Sequence, residues 1–221
     1  MHAVKGVSGC GKSTLGKALT ETIQDAQFQD GDDLHPKSNI EKMTQGQPLT
    51  DKDRLPWLSL IRSTAEHLVM SGSSRVIVVA CSALRRTYRD ILRTSSSEQP
   101  DILLPPPEVP ENHPHTTSQL KHDTSHHTMC CPESNSSART DLKTFFIHIE
   151  GPREVLLQRM SVRKNHFMKE TMLDSQLKTL ERPDPAREEN VITVDSIKSI
   201  AGQVDEAVEG LRRLGLDLKE L

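Results

Sequence analysis

The chain has 221 residues, a net charge of −3, and a single Trp and a single Tyr. That is enough for one α/β domain, without the basic excess or stacking aromatics of a nucleic-acid binder. Its cysteines, Cys10, Cys81, Cys130 and Cys131, form no disulfide framework, and no stretch has signal-peptide or membrane-spanning length, so a cytoplasmic protein with no membrane partner is expected.

Hydrophobic periodicity gives the elements in chain order. Residues 2–5 form a short β-like start. Residues 12–24 suit a helix, with Leu15, Ala18, Leu19 and Ile23 on one face. A strand over 27–30 and helices over 38–46 and 52–71 follow; Trp57, after Pro56, reads as core. Residues 75–81 (RVIVVAC) are the clearest buried strand, a β-branched run without alternation. It leads to a helix over 83–94 that Ser82 can cap, and it makes Cys81 a buried thiol rather than a nucleophile. Strands are expected over 144–149 and 190–194, and helices over 153–164, 168–181 and 197–213. Strands alternating with helices imply a parallel sheet covered on both faces, with ligands beyond the strands' C-terminal ends.

Residues 95–142 break the pattern. They are rich in Ser, Thr, Pro and His and hold seven of the 13 prolines, a composition that buries too little apolar surface to offset ordering entropy. They read as a disordered insertion within a single domain spanning 1–221. The histidines there (His113, His115, His122, His126, His127), with Cys130 and Cys131, match no zinc spacing and read as adventitious.

Gly6-Val7-Ser8-Gly9-Cys10-Gly11-Lys12-Ser13, followed by Thr14, matches G-x-x-x-x-G-K-[ST] at every fixed position. The glycines let successive N–H groups turn inward onto phosphate oxygens, and the following helix adds its positive end. Lys12 can reach the β- and γ-phosphates, and Ser13 Oγ can ligate Mg²⁺. The strand before the loop is short, and Lys5 stands at a position expected to be buried, so a less firmly held loop is expected.

Asp30-Gly31-Asp32-Asp33 follows the second strand and so falls at the ligand-binding edge. A kinase needs a carboxylate to orient the acceptor hydroxyl and accept its proton, and acidic groups suit the Mg²⁺ water shell. On an extended segment Asp30 and Asp32 share one side. A solvated acidic turn is the bland alternative.

Taken together these stretches resemble the gluconokinase family across residues 6–94 and about 143–195. They are GVSGCGKST at 6–14, DGDDLHP at 30–36, NIEKM at 39–43, GQPLTDKDRLPWL at 46–58, CSALRRTYRDILR at 81–93, RMSVRKNHFM at 159–168, ML at 172–173, SQ at 175–176 and LERPDP at 180–185. The resemblance implies a three-layer P-loop kinase fold like that of nucleoside monophosphate and shikimate kinases. It would have about five parallel strands flanked by helices and a mobile helical lid. It implies a phosphotransferase with an alcohol acceptor that uses ATP and Mg²⁺ to convert D-gluconate into 6-phospho-D-gluconate, and a homodimer. Asp32 would orient or deprotonate the acceptor hydroxyl, and Asp30 would hold hydrated Mg²⁺. His35, Lys42, Arg54 and Arg89 would surround the sugar acid. A polyol carboxylate calls for guanidinium groups, so either Arg54 or Arg89 is the carboxylate ligand.

Arg159 and Arg163 are four apart and share a face if helical. In the resemblance they belong to the lid, where an arginine stabilises the transferring phosphoryl group. The base pocket is expected near residues 180–185. Two further readings stay open: a P-loop kinase for another small sugar acid, and, motivated by the short first strand with Lys5 and by the insertion, an inactive or weakened nucleotide-binding variant of the same fold.

Overall fold

The computed structural model describes residues 1–99, 142–162, 170–216 and 218. A five-stranded, all-parallel sheet runs in the order β2-β3-β1-β4-β5. Its strands are β1 His2–Lys5, β2 Ala26–Asp30, β3 Val76–Cys81, β4 Phe145–Glu150 and β5 Val191–Asp195. The helices are α1 Lys12–Thr22, α2 Lys37–Thr44, α3 Asp51–Met70, α4 Arg86–Arg93, α5 Arg153–Val162, α6 Glu170–Thr179 and α7 Ile200–Arg213, with short 3₁₀ turns at Gly31–Leu34 and Ser96–Glu98.

Strand alternation divides the core into two layers. Val4, Val78, Ile147 and Ile149 face Leu15 and Leu19 of α1, Leu156 of α5, Leu173 of α6, and Val204 and Leu211 of α7. Ala3, Ile77, Val79 and Phe146 face Trp57, Leu58, Ile61 and Ala65 of α3, and Tyr88 and Leu92 of α4. This is the helix–sheet–helix sandwich expected.

The first strand is as short as expected, four residues, yet it is the central strand. Every residue is buried and paired on both sides, His2 with Val78 and Phe145 through to Lys5 with Cys81 and His148. Lys5 shares the α4 face of the sheet with Cys81 and His148. Burial there, then the charge of Arg89, pull its ammonium pKa down to about 7. The P-loop thus leaves a strand anchored on both edges, whatever the cost of its last residue.

Two boundaries differ from expectation. The segment 83–85 is not helical: Ala83 sits at φ 34°, and α4 starts at Arg86 after Arg85, so Ser82 does not cap it. The edges of the Ser/Pro-rich segment also belong to the packed domain. Ser96 donates its backbone N–H to Glu66 at 3.3 Å, Gln99 donates to the Ile91 carbonyl at 3.0 Å, and the Leu142 carbonyl accepts from Arg62 at 2.9 Å. Residues 100–141, with their histidines and Cys130 and Cys131, lie outside the described residues.

Candidate functional site

Residues 6–14 form the turn between β1 and α1 at the C-terminal edge of the central strand. Positive φ at Gly6 (152°), Gly9 (81°) and Gly11 (101°) curls the backbone. At Gly9 a Cβ would lie 2.7 Å from Met160 and 3.0 Å from the Leu156 carbonyl, so glycine lets the loop settle against α5. Gly11 precedes α1 without a side-chain cap, leaving the helix N-terminus open to an anion. Lys12 Nζ bonds back to the Val7 carbonyl at 3.1 Å, across the loop.

Gly16 of α1 lies against Phe28 of β2, where a Cβ would come within 2.6 Å of the ring. That close approach carries the start of α1 over to β2, and Ser13 Oγ donates to Asp30 Oδ2 at 2.7 Å. The other Asp30 oxygen accepts from the Asp32 backbone N–H at 3.1 Å and caps the 3₁₀ turn Gly31–Leu34. Asp30 and Asp32 therefore do not share a side by strand alternation. The Asp-Gly-Asp-Asp segment turns because its first carboxylate captures a backbone donor two residues on. Asp32 stands exposed on that turn, beside the Ser13–Asp30 pair.

His35 follows the turn and stacks on Trp57, ring centroids 4.1 Å apart. Trp57 is core, as read, and donates to the Gly31 carbonyl at 2.6 Å, fixing the turn from below. Burial, then the nearby Arg54 charge, lower the His35 pKa to about 4, so its imidazole is neutral at pH 7. Asn39 Nδ2 lies 3.3 Å from His35 Nδ1 and donates to the Asp53 carbonyl at 2.9 Å.

Lys42 is paired with Asp53 at 2.5 Å. Asp53 also completes the capping box of α3 with Thr50. The Lys42 hydrogen bond, followed by those from Thr50, holds the Asp53 carboxyl down at about 2. Lys42 therefore ties α2 to α3.

Arg54 and Arg89 are treated very differently. Arg54 gives one N–H to the Leu49 carbonyl, lies 5.8 Å from the Tyr88 ring and lines a cavity of about 480 Å³ with Thr50, Arg85, Ser175 and Thr179. Arg89 is fully buried. It forms a fork with Glu188, at 2.7 and 2.5 Å, and donates to the carbonyls of Ala83, Leu84 and Glu181. Arg89 thus does not face the cleft as a sugar-acid ligand. It pins the 181–188 segment to α4, and sequence alone cannot separate these two duties for one guanidinium.

Arg159 bonds the carbonyls of Cys10, at 3.4 Å, and Ser196, at 2.5 Å. It bridges the P-loop to the turn after β5, on the flank away from α4. Arg163 lies outside the described residues. The 180–185 segment, expected near the base, docks against the start of α4: Glu181 N–H donates to the Leu84 carbonyl at 3.0 Å and Glu181 Oε2 accepts from Arg86 N–H at 2.7 Å.

Two participants were missed in the sequence. Gln176 of α6 accepts from the P-loop N–H of Ser8 at 2.7 Å, so α6 touches the phosphate loop while its Ser175 and Thr179 line the cavity. Arg85 lines the same cavity. The motif stretches SQ and CSALRR hold these residues, but spacing assigns them no direction.

No family model matches the chain. Individual relatives do. A protein from Xenopus tropicalis described as a probable gluconokinase is 37% identical over 207 residues, covering 94% of this chain and 90% of the relative. A probable gluconokinase from Schizosaccharomyces pombe is 37% identical over 194 residues, 88% of this chain and 78% of the relative. Among solved structures, a gluconokinase from Sinorhizobium meliloti superposes with a TM-score of 0.65 at 36% identity, covering 96% of this chain and 91% of that one.

Proposed function

The chain belongs to the gluconokinase family, and from that premise we propose how its residues carry the reaction. It transfers the γ-phosphoryl group of ATP to D-gluconate, giving ADP and 6-phospho-D-gluconate. The observation that carries the assignment of roles is the convergence of the P-loop, the Ser13–Asp30 pair and the row Asp32, His35 and Arg54 on one edge of the sheet.

ATP phosphates lie in the loop 6–14, with the backbone N–H groups and the N-terminus of α1 as donors and Lys12 as the mobile cation. Lys12 exchanges the Val7 carbonyl for phosphate oxygens. Ser13 and Asp30 present a hydroxyl and a carboxylate 2.7 Å apart. These are hard oxygen ligands of the kind that hold hydrated Mg²⁺ with few protein contacts. Mg²⁺ when bound there neutralises charge on the phosphate oxygens.

Asp32, exposed beside this pair, orients the acceptor hydroxyl and receives its proton. Neutral His35 and Lys42 offer polar contacts to the sugar hydroxyls, and Arg54 offers its free guanidinium edge to the carboxylate. Arg89 acts indirectly, by holding the floor of the cleft. Arg159, bound to the Cys10 carbonyl, serves the nucleotide side, and Arg163 is the remaining lid cation of this reading. A homodimer, supported by the family resemblance, and a cytoplasmic address, supported by the cysteine usage, complete it.

A coupled assay with ATP and Mg²⁺ on the purified chain tests the reading, with gluconate, shikimate and nucleoside monophosphates as acceptors. Gluconate is expected to be preferred, and Lys12→Ala to abolish turnover. Preference for either other acceptor class, or full turnover by Lys12→Ala, would sink the assignment.

A further inference from the structure

On that reading of the function, we propose that Arg85 is a specificity-determining residue which, together with Arg54, receives the carboxylate of the sugar acid. The two guanidinium groups share one aromatic support: Arg54 lies 5.8 Å and Arg85 5.9 Å from the centroid of the Tyr88 ring. Both line the cavity of about 480 Å³, whose other cation is Lys52. The one carboxylate on that wall, Asp51, is already engaged, accepting from Tyr88 Oη and from Arg85 Nη1 at 2.7 Å. The cavity therefore carries an excess of positive charge, and its wall also bears the side chains of Thr50, Ser175 and Thr179, of which the Thr50 and Thr179 hydroxyls already donate to Asp53 and the Ser175 carbonyl.

The donor count points the same way. Arg85 spends one N–H on Asp51, and Arg54 spends one on Leu49. Among the described residues the other donors of both forks have no hydrogen-bond partner, so each guanidinium keeps an edge for a planar carboxylate. Asp51 and Tyr88 hold Arg85 in place without using that edge. Arg89, one turn further along α4, cannot substitute, because it is fully buried and bound to Glu188 and three backbone carbonyls. Arg54 also joins the two ends of the site. Its charge reaches His35, next to the turn that bears Asp32, and its guanidinium reaches the Tyr88 ring. A substrate with a hydroxyl to phosphorylate at one end and a carboxylate at the other fits this order of groups.

The test compares gluconate with gluconamide, which keeps every hydroxyl and replaces the carboxylate by a neutral amide. Arg85→Gln in the full chain is expected to lower kcat/KM for gluconate by roughly ten- to a hundredfold, mainly through KM, with gluconamide turnover changed by less than about threefold. Arg85→Lys should recover part of the loss, and the KM for ATP should hold in both variants. An unchanged gluconate KM in Arg85→Gln would overturn the assignment, as would equal losses for gluconate and gluconamide. Wild-type chain that turns over no gluconate would instead overturn the functional reading beneath it, so the two failures are distinguishable.

Discussion

Replacing Lys5 by methionine should make the protein more stable, by an amount that depends on pH. Lys5 is fully buried on the central strand, and its Nζ has no hydrogen-bond partner among the described residues. Burial, reinforced by the Arg89 charge, lowers its pKa from 10.5 to about 7. The folded-state pKa is below the unfolded one, so the unfolded chain binds more protons between these values. Stability therefore rises with pH from about 7 to 10.5 and carries the full cost of the charge below 7. By linkage that cost is on the order of 4–5 kcal/mol at neutral pH and below. Methionine keeps the length of the stem and removes the charge. Imperfect repacking takes back about 1–2 kcal/mol, which leaves a gain of roughly 2–4 kcal/mol at pH 7. Glu188, which attracts Lys5, keeps Arg89 and Arg93 as partners. Urea unfolding of both proteins at pH 7 and pH 9.5 measures the difference. A less stable Lys5→Met protein, or a gain that does not shrink at pH 9.5, would show that the ammonium is not the burden reasoned here.

His2 and His148 set the acid limit. Both are buried, and burial above all pushes each pKa down to about 3. Above pH 6.5 neither costs anything; as pH falls below 6.5 the unfolded chain takes up protons that the folded chain refuses. Each then removes about 1.4 kcal/mol per pH unit until its folded pKa is reached. Urea unfolding from pH 7 to 4.5 should show a pH dependence from this pair that steepens toward about two protons below roughly pH 5.5, and a flat profile would refute it. Glu188→Ala leaves the Arg89 guanidinium buried without its carboxylate, at a cost of about 3–5 kcal/mol. A drop below about 1 kcal/mol in denaturant unfolding would mean that Arg89 finds water or another anion there.

Much of the fold was legible because its strands are unambiguous. The run 76–81 buries nearly every residue, as a strand covered on both faces must. The alternation of Ala3 and Val4 between the two core layers likewise follows from period two. What was not legible were local captures of backbone groups. Asp30 caps a 3₁₀ turn instead of continuing an extended segment. Ala83 adopts positive φ, and α4 begins at Arg86, later than its periodicity indicates. Glu66 and Arg62, polar residues on a core-facing helix, hold Ser96 and Leu142 and so fold in the margins of a segment whose composition reads as unstructured.

The phosphate loop was readable because its chemistry lies in the backbone, and glycine spacing reports backbone directly. The acceptor side was only half readable, because its chemistry lies in guanidinium groups whose direction the sequence does not encode. Arg85 and Arg89 are four residues apart, the spacing that puts side chains on one helical face. Arg85, however, precedes the first residue of α4 with extended backbone, φ −91° and ψ 155°, and so escapes that rule. Its side chain turns to Asp51 and the cavity, whereas Arg89 turns inward to Glu188. A helix starting at residue 83, as periodicity indicates, would have pointed both the same way. The start of one helix thus decides which arginine meets substrate and which holds the scaffold, and it is set by Ala83 and the Glu181 carboxylate that accepts from the Arg86 N–H.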